Sequence, residues 1–322
     1  EKSRPIKIIK PPKTIKTLTS DSFNNLSLDN LKLLPKNSNW TKKLTTYWTP
    51  GEDQALINLN NFKNNIVENY DEGRDRPDKN YTSKLSPYLH FGEISAQTIY
   101  NEIYNKNIKN DKSKKKFLAE IGWREFAYNL LFNYPNIEND PIQEKFKKFP
   151  WKNNNEYLSA WKQGKTGYPI VDAGMRQLYE TGWMHNRVRM IVGSFLCKNL
   201  LLHWWEGEKW FFDKLVDADL GSNSAGWQWI AGCGADAAPY FRVFNPLTQS
   251  LKFDSNGDYV KKYLPELNNI PSAQVHAPWQ LDISEQKKYK CIIGADYPKP
   301  IVDLSISRNE ALEAFSSIKV SN

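Results

Sequence analysis

The densest group of residues that could do chemistry lies between Asp217 and Trp229. It holds two carboxylates, Asp217 and Asp219, the amide of Asn223, and the indoles of Trp227 and Trp229. Polar side chains are rarely buried without partners, whereas a tryptophan on its own is usually part of a core. Acids and amides that alternate with large rings therefore predict a binding site for a planar ligand with polar groups.

A metal centre and a hydrolytic triad are both disfavoured by the neighbouring residues. No histidine or further acid lies close enough in the sequence to complete an oxygen shell around Asp217 and Asp219, so we predict no metal site. We expect Arg189 or Arg187 to be the partner of these acids instead. His185, without a second histidine beside it, argues against a zinc centre and a serine triad.

Two turns could bind phosphate, and each has an ordinary alternative. The turn Thr82–Ser86, in TSKLSPYLHFG, precedes a helical segment and could hold phosphate there, although its spacing alone favours a simple helix N-cap. The phrase GCGADA at Gly232–Ala237 fits the dinucleotide pattern G-x-G-x-x-A. A tryptophan-rich segment precedes it where that pattern requires a strand, so we interpret Gly232–Ala237 as a loop.

The charge of the chain favours a polyanionic partner. Its 322 residues carry a net charge of +8, with 44 Lys and Arg against 36 Asp and Glu. We assign the lysine runs at 1–20 and 106–116 to solvated surface or linker, because they lie in Asn- and Ile-rich stretches. Arginines in apolar or aromatic surroundings are better candidates for contact: Arg74, Arg124, Arg187, Arg189 and Arg242.

The composition also indicates in which cellular compartment the protein is expected. No apolar run approaches the roughly 20 residues that cross a bilayer, and the basic start EKSRPIKIIKPPK lacks the pattern of a secretory signal. The widely spaced Cys197, Cys233 and Cys291 make no disulfide framework. We therefore expect a protein of the reducing cytoplasm.

The elements that must position these residues are helices. From about Glu52 onwards, apolar residues recur at spacings of three and four, and clean two-residue alternation is scarce. The sequence therefore predicts an all-α domain. Further helices are predicted over Ser95–Asn105, Phe117–Asn133, Ile170–Glu180 and Val188–Trp204, the last of them apolar nearly all round and buried.

Four longer phrases resemble the DNA photolyase and cryptochrome flavoproteins. They are TSKLSPYLHFG, EIGWREF, WKQGKTGYPIVDAGMRQLYETGWMHNRVRM and DADLGSNSAGWQWIAGCGADAAPYFRVFNP, and the resemblance covers roughly 69–300. Within the family, the chain is similar to class I cyclobutane pyrimidine dimer photolyases. This implies an α-helical FAD-binding domain over 46–305, a connector over 1–45 that follows an absent N-terminal α/β antenna domain, and a tail over 306–322.

The resemblance implies a U-shaped FAD inside the helical domain, and an antenna chromophore only in a full-length protein. The implied cofactor residues are Tyr70, Thr82, Ser83, Lys84, Leu85 and Ser86 on the pyrophosphate side, Phe117 and Arg124 on the pocket wall, Arg189 paired with Asp217 beside the ring system, Asp219 at the ring edge, and Asn223 facing the flavin N5. Trp227, Trp204 and Trp151 match the electron-hopping chain from flavin to surface.

The implied partner is double-stranded DNA that contains a cyclobutane pyrimidine dimer, flipped into a pocket. Glu120 and Asn186 would bond the pyrimidine edges, Trp123 and Trp229 would form aromatic walls, Met190 would fill the apolar face, and Arg74, Arg187 and Gln249 would contact the DNA backbone or fill the gap. The implied activity is that of a deoxyribodipyrimidine photo-lyase, expected to act as a monomer: excited, reduced, anionic FAD gives an electron to the dimer, the ring splits and the electron returns.

The alternative function is that of a cryptochrome, a blue-light receptor with the same fold, cofactor and tryptophan chain. The complete set of dimer-contacting residues and the short tail favour repair. A (6-4) photoproduct as the lesion would call for a histidine pair where this chain has His185 and Asn186. The tryptophan-walled pocket argues against a relative that prefers single strands.

Overall fold

The computed structural model describes residues 12–16, 27–33, 39–236 and 241–318. Within these ranges the regular structure is helical, and the only β pairing consists of isolated bridges, Lys152 to Leu202 and Ile293 to Tyr297. The predicted all-α fold is confirmed. The helices are α1 Asn39–Tyr47, α2 Glu52–Asn61, α3 Tyr70–Gly73, α4 Ser86–His90, α5 Ala96–Tyr104, α6 Asp111–Asn133, α7 Asn155–Gln163, α8 Pro169–Thr181, α9 Asn186–Ser194, α10 Trp204–Lys214, α11 Leu220–Ala231, α12 Pro246–Phe253, α13 Asp258–Tyr263, α14 Ile283–Lys288 and α15 Leu304–Ser317.

Two hydrophobic cores hold these helices together. The larger core is built on α8, α9, α10 and the segments that follow α12, and the smaller one on α2, α5 and the first half of α6. Burial of apolar surface is the main force that stabilises each core. The two cores face each other across a cavity that both of them line.

Apart from Val188–Trp204, the helices predicted from periodicity are confirmed with small changes at their ends. The helical pattern from Glu52 forms α2, which passes into a π-helical turn at Phe62–Ile66. Ser95 caps α5, because its side chain accepts a hydrogen bond from the backbone N–H of Thr98 at 3.0 Å. Helix α6 begins at Asp111, so part of the lysine run at 106–116 forms its exposed first turns.

The prediction of one continuous helix over Val188–Trp204 is wrong. Helix α9 ends at Ser194, and a π-helical turn covers Phe195–Asn199. A non-helical segment then separates this turn from α10, which begins at Trp204. Leu201 has a φ of 53°, which an α-helix cannot accommodate. The apolar pattern continues through the break because the whole stretch is buried, so periodicity gave no sign of it.

The ends of the described chain are tied to the larger core. Helix α1 crosses residue 45, the predicted end of the connector, and the Trp40 indole N–H donates to the carbonyl oxygen of Tyr179 at 2.8 Å. Helix α15 covers most of 306–322, the predicted tail, and buries Ala311 and Ala314 in the core. Most of the predicted connector before residue 39 lies outside the described residues.

Three further expectations from the sequence concern the loop at Gly232, membrane-spanning helices and the cysteines. Gly232, with a φ of 94°, ends helix α11, so Gly232–Gly234 is a loop after a helix and no Rossmann turn, as predicted; Ala237 lies outside the described residues. No helix in the described part of the chain is both long and apolar enough to cross a bilayer. The three cysteines are buried and unpaired.

Candidate active site

A cavity of about 650 Å³ lies between the two cores. Ligand pockets typically measure roughly 300–1,000 Å³. Every predicted cofactor residue lines this cavity, and so do most of the predicted substrate residues: Tyr70, Arg74, Thr82, Ser83, Lys84, Leu85, Ser86, Phe117, Glu120, Trp123, Arg124, Asn186, Arg189, Met190, Asp217, Asp219, Asn223, Trp227 and Trp229. Four predicted site residues do not line it: Trp151, Arg187, Trp204 and Gln249.

An ion pair predicted between Arg189 and Asp217 is present. Nη2 of Arg189 donates to both carboxylate oxygens of Asp217, at 3.0 and 2.9 Å. The hydroxyl of Ser86 donates to the same carboxylate at 2.6 Å. Three separate elements therefore meet at Asp217: α9, α4 and the segment before α11. Because the Asp217 side chain is almost fully buried, these hydrogen bonds compensate the cost of burying its charge.

The second carboxylate, Asp219, has hydroxyl and backbone partners and no arginine hydrogen bond. It caps α11 by accepting from the backbone N–H of Ser222 at 2.8 Å, and it accepts a short hydrogen bond from the Tyr128 hydroxyl. Burial acts to raise the pKa of Asp219, but these hydrogen bonds outweigh it and hold the pKa below its usual range. Two basic side chains lie near this acid: Nδ1 of His90 is 3.9 Å from Oδ2 of Asp219, and the Arg124 guanidinium lies 4.7 Å from the centre of the Tyr128 ring.

The turn at Thr82–Ser86 is not a simple helix N-cap. The residue at the cap position of α4 is Leu85, and no side chain caps that helix. Lys84 adopts a φ of 52°, and burial lowers the pKa of its ammonium group. The Thr82 and Ser83 side chains therefore line the cavity beside the exposed cation of Lys84, an arrangement suited to an anionic group.

Asn223 is held by a buried acid on α10. Its side-chain N–H group donates to the backbone oxygen and to Oε1 of Glu208, both at 3.0 Å. Ser224 donates to the same Oε1 at 3.1 Å. Burial raises the pKa of Glu208, while the bonds from Ser224 and Asn223 oppose that rise. With both amide hydrogens engaged, the amide oxygen of Asn223 is the polar atom left for the cavity.

Six of the eight predicted substrate residues line the cavity: Arg74, Glu120, Trp123, Asn186, Met190 and Trp229. Trp123 is 53% exposed, lines the cavity and packs edge-to-face on Phe126. Glu120 accepts a short hydrogen bond from the guanidinium of Arg74. Two residues predicted to act in different ways, one on the pyrimidine and one on the DNA backbone, are thus an ion pair in the free protein.

Arg187 lies outside the cavity lining and is held by a residue that the sequence analysis did not select. Its Nη2 donates to Oδ1 of Asp75 at 2.7 Å, and its guanidinium carbon lies 4.4 Å from the centre of the Phe253 ring. Arg187 is therefore not a partner of Asp217 or Asp219.

The three predicted electron-transfer tryptophans follow a path away from the cavity. Trp227 lines the cavity and packs against Gly207 on α10, one turn from Trp204. The ring of Trp204 lies 5.7 Å from that of His203, which lies 5.1 Å from the ring of Trp151. Trp227 and Trp204 are buried, whereas Trp151 is half-buried. Ring contacts thus join the buried Trp204 through His203 to the half-buried Trp151, and Trp227 meets the helix that carries Trp204 at Gly207.

Comparison with known proteins identifies the family. A family model described as the FAD binding domain of DNA photolyase matches residues 117–317. A deoxyribodipyrimidine photo-lyase of Agrobacterium fabrum is 47% identical over 312 residues, which are 96% of this chain and 64% of that protein. The chain belongs to the DNA photolyase and cryptochrome family.

Solved structures of the photolyase and cryptochrome family agree with this. The crystal structure of a bacterial class III photolyase from Agrobacterium tumefaciens matches with a TM-score of 0.88 and 47% identity over 91% of this chain and 61% of that one. The crystal structure of a Synechocystis cryptochrome matches with a TM-score of 0.79 and 37% identity over 83% and 56%. The chain thus spans about three fifths of the length of these relatives.

The residues present fit the FAD that gives this family model its name. The hydroxyls of Thr82 and Ser83 and the cation of Lys84, which all line the cavity, suit phosphate groups. Asp219 and the Asn223 amide oxygen, which line the same cavity, suit the N–H edge of a flavin ring. The donors and acceptors of the cavity are thus placed for a molecule with a phosphate end and a planar polar end.

Sequence reasoning missed four residues that hold the site together: Asp75, Tyr128, His203 and Glu208. Tyr128 and Glu208 could have been selected from helical spacing, since each lies on a helix that also carries predicted site residues. Asp75 and His203 lie in connections between helices. Their contacts arise from tertiary packing and leave no periodic signal.

Proposed function

We propose that the chain is the FAD-binding part of a light-driven DNA repair enzyme that splits cyclobutane pyrimidine dimers. One observation carries this proposal: the predicted cofactor residues and most predicted dimer-contacting residues line the same cavity. A flipped-out dimer that contacts Trp123 and Trp229 would then lie beside a flavin held at Asp219 and Asn223. Electron transfer without a covalent intermediate requires this kind of proximity.

FAD, in the reduced and anionic state that the proposal assigns to it, supplies the light absorption and the one-electron chemistry. The chain supplies binding, orientation and electrostatics. Asp217 and Arg189 fix the relative positions of α9, α4 and the start of α11. Glu208 accepts from the amide nitrogen of Asn223, which leaves the amide oxygen as the acceptor that would suit the N5 of a bound flavin carrying a hydrogen there.

The substrate half of the cavity recognises a pyrimidine pair by shape and hydrogen bonding. Trp123 and Trp229 offer ring faces to the stacked pyrimidines, and the Met190 thioether offers a polarisable apolar contact. Glu120 and the Asn186 amide can accept from and donate to the pyrimidine imide and carbonyl groups. A damaged base pair costs less to flip than an intact one, so the pocket selects the lesion.

The proposal extends to the remaining expectations. We propose duplex DNA as the partner of this basic chain, action as a monomer and a cytoplasmic location. The class I assignment made from the sequence receives no support from the 47% identical structure, since that structure is of a class III photolyase. The repair of cyclobutane dimers itself does not depend on the class.

A light-dependent repair assay tests the function. The chain, loaded with FAD and reduced, is mixed with a duplex that contains one thymine dimer and is then illuminated with blue light or kept dark. We expect intact thymines to appear only in the light. In the matched variant Glu120→Ala, repair per absorbed photon should fall while FAD stays bound. Bound FAD with no repair in light would instead favour a cryptochrome function. The fold of this chain is also similar to that of the Synechocystis cryptochrome.

A further inference from the structure

The turn that follows α3 carries two successive charged residues that reach two different helices. Arg74 pairs with Glu120 on α6, and Asp75 pairs with Arg187 on α9. The four charges alternate in sign from Glu120 through Arg74 and Asp75 to Arg187, and only Glu120 and Arg74 line the cavity. Glu120, Arg74 and Arg187 are predicted to act on the DNA, whereas Asp75 has no predicted function and, as an acid, would repel the DNA backbone.

The position of Asp75 is fixed by its own turn. The N–H of Asp75 donates to the carbonyl oxygen of Glu72 at 3.3 Å, and that of Arg76 to the carbonyl oxygen of Gly73 at 3.0 Å. Gly73 packs so closely on Tyr81 that an added Cβ would lie 2.4 Å from the Cβ of that residue. The turn therefore cannot move without disturbing Tyr81, and the Asp75 carboxylate has a fixed anchor.

Arg187 is held from three directions. Oδ1 of Asp75 accepts from Nη2 at 2.7 Å and from Nε at 3.3 Å. Phe253 on α12 lies under the guanidinium plane at 4.4 Å, and the Met190 sulfur lies 3.7 Å from Nη1. The Arg187 side chain remains 20% exposed, so part of its guanidinium still faces solvent.

We propose that Asp75 is a positioning residue for DNA binding, which holds Arg187 in the orientation that a backbone phosphate requires. This inference rests on the proposed function, in which Arg187 contacts the DNA backbone. An arginine side chain has many rotamers, and ordering one on binding costs about 0.5–1.5 kcal/mol. A guanidinium already held by Asp75 and Phe253 meets that cost during folding.

The sign of the effect separates positioning from simple charge. Removal of a carboxylate that only repels DNA raises the affinity for DNA. Removal of a carboxylate that orders Arg187 lowers the affinity, by about threefold to tenfold for the side-chain ordering above. These two outcomes lie on opposite sides of the wild-type value.

The test measures the dissociation constant of a dimer-containing duplex for four FAD-loaded proteins: wild type, Asp75→Ala, Arg187→Ala and the double variant. We expect Asp75→Ala to bind about threefold to tenfold more weakly, and to change nothing further in the Arg187→Ala background. Asp75→Asn, which keeps an acceptor oxygen, should bind more tightly than Asp75→Ala. Tighter or unchanged binding by Asp75→Ala, or an equal loss with and without Arg187, would overturn the inference.

Two controls keep the result interpretable. Asp213→Ala makes the same change in net charge at an acid that is 65% exposed and paired only with its neighbour Lys214 among the described residues, and we expect its affinity to remain at or slightly above wild type. A wild-type chain with no preference for dimer-containing over undamaged duplex would count against the proposed function, whereas a wild-type preference together with unchanged affinity in Asp75→Ala would count against the inference alone.

Discussion

The indole of Trp227 packs directly on the α-carbon of Gly207. A Cβ added at Gly207 would lie 2.1 to 2.6 Å from three atoms of the Trp227 six-membered ring. Only a glycine on α10 lets the ring lie between that helix and the cavity. The tryptophan that lines the cavity is thus also a core residue, and its position depends on a missing side chain one turn from Trp204.

Gly207→Ala should therefore destabilise the protein. The new methyl group must push Trp227 aside inside a packed core, which typically costs about 1–3 kcal/mol. The free energy of unfolding, measured by urea denaturation, should fall by that amount. Gly122→Ala is the matched control, since a Cβ at that helical glycine of α6 meets nothing within 4 Å. It should leave stability unchanged or raise it by up to about 1 kcal/mol; an equal loss in both variants would contradict the account.

Trp227→Phe should block light-driven reduction of the oxidised cofactor and spare repair by protein that was reduced beforehand. A phenyl ring preserves most of the packing on Gly207 but is a poorer electron donor than an indole. The measurement compares photoreduction under blue light with single-turnover repair in the same preparation. Loss of both activities together would contradict a hopping function for Trp227.

Glu208→Ala should disturb Asn223 more than Glu208→Gln does. Alanine leaves the Asn223 amide and the Ser224 hydroxyl without Oε1, and a buried donor without a partner costs about 1–3 kcal/mol. Glutamine keeps an acceptor oxygen. We expect a lower free energy of unfolding and a shifted reduction potential of bound FAD in Glu208→Ala, with smaller changes in Glu208→Gln. Equal potentials in both variants and wild type would show that Asn223 needs no support from Glu208.

His185 should make stability depend on pH. Burial lowers the pKa of His185 from 6.5 to about 4, so the folded protein holds this ring neutral. Between these values the unfolded chain binds more protons, and stability therefore falls as the pH is lowered from 6.5 towards 4. The loss attributable to this residue is on the order of 3 kcal/mol.

His185→Asn tests this pH dependence with little change in structure. The imidazole Nδ1 accepts from the backbone N–H of Arg187 at 3.2 Å, and an asparagine oxygen can take the same bond at the start of α9. Urea denaturation at several pH values should show a shallower slope between pH 4 and 6.5 in the variant. Identical slopes in the two proteins would show that His185 does not titrate as proposed.

Periodicity and capping patterns predicted the helices that flank the site. Ser95 capped α5 as expected, and α6 ended at Asn133 before Tyr134. The break between α9 and α10 could not be predicted, because a buried segment is apolar on every side whether it is helical or not. The Leu201 backbone and the His203 cap of α10 depend on contacts made only in the folded chain.

For the candidate site too, one part could be predicted from the sequence and another could not. Family phrases marked most of the residues that line the cavity, although Tyr70, Arg74 and Phe117 lie outside those phrases. They did not indicate which side chains pair in the absence of DNA. Arg187 was expected beside Asp217 or Asp219 and is bound to Asp75, because the turn after α3 brings a carboxylate to it from a distant part of the chain.

The absorption spectrum of the purified chain tests the central claim most directly. If the cavity between the two cores is a flavin site, protein purified or reconstituted with FAD should show flavin bands at close to one FAD per chain. The bands should weaken in Asp217→Asn, which loses the full charge that holds Arg189 and Ser86, and persist in the surface control Asp213→Asn. A chain that is folded and monodisperse yet carries no flavin after reconstitution would contradict the account.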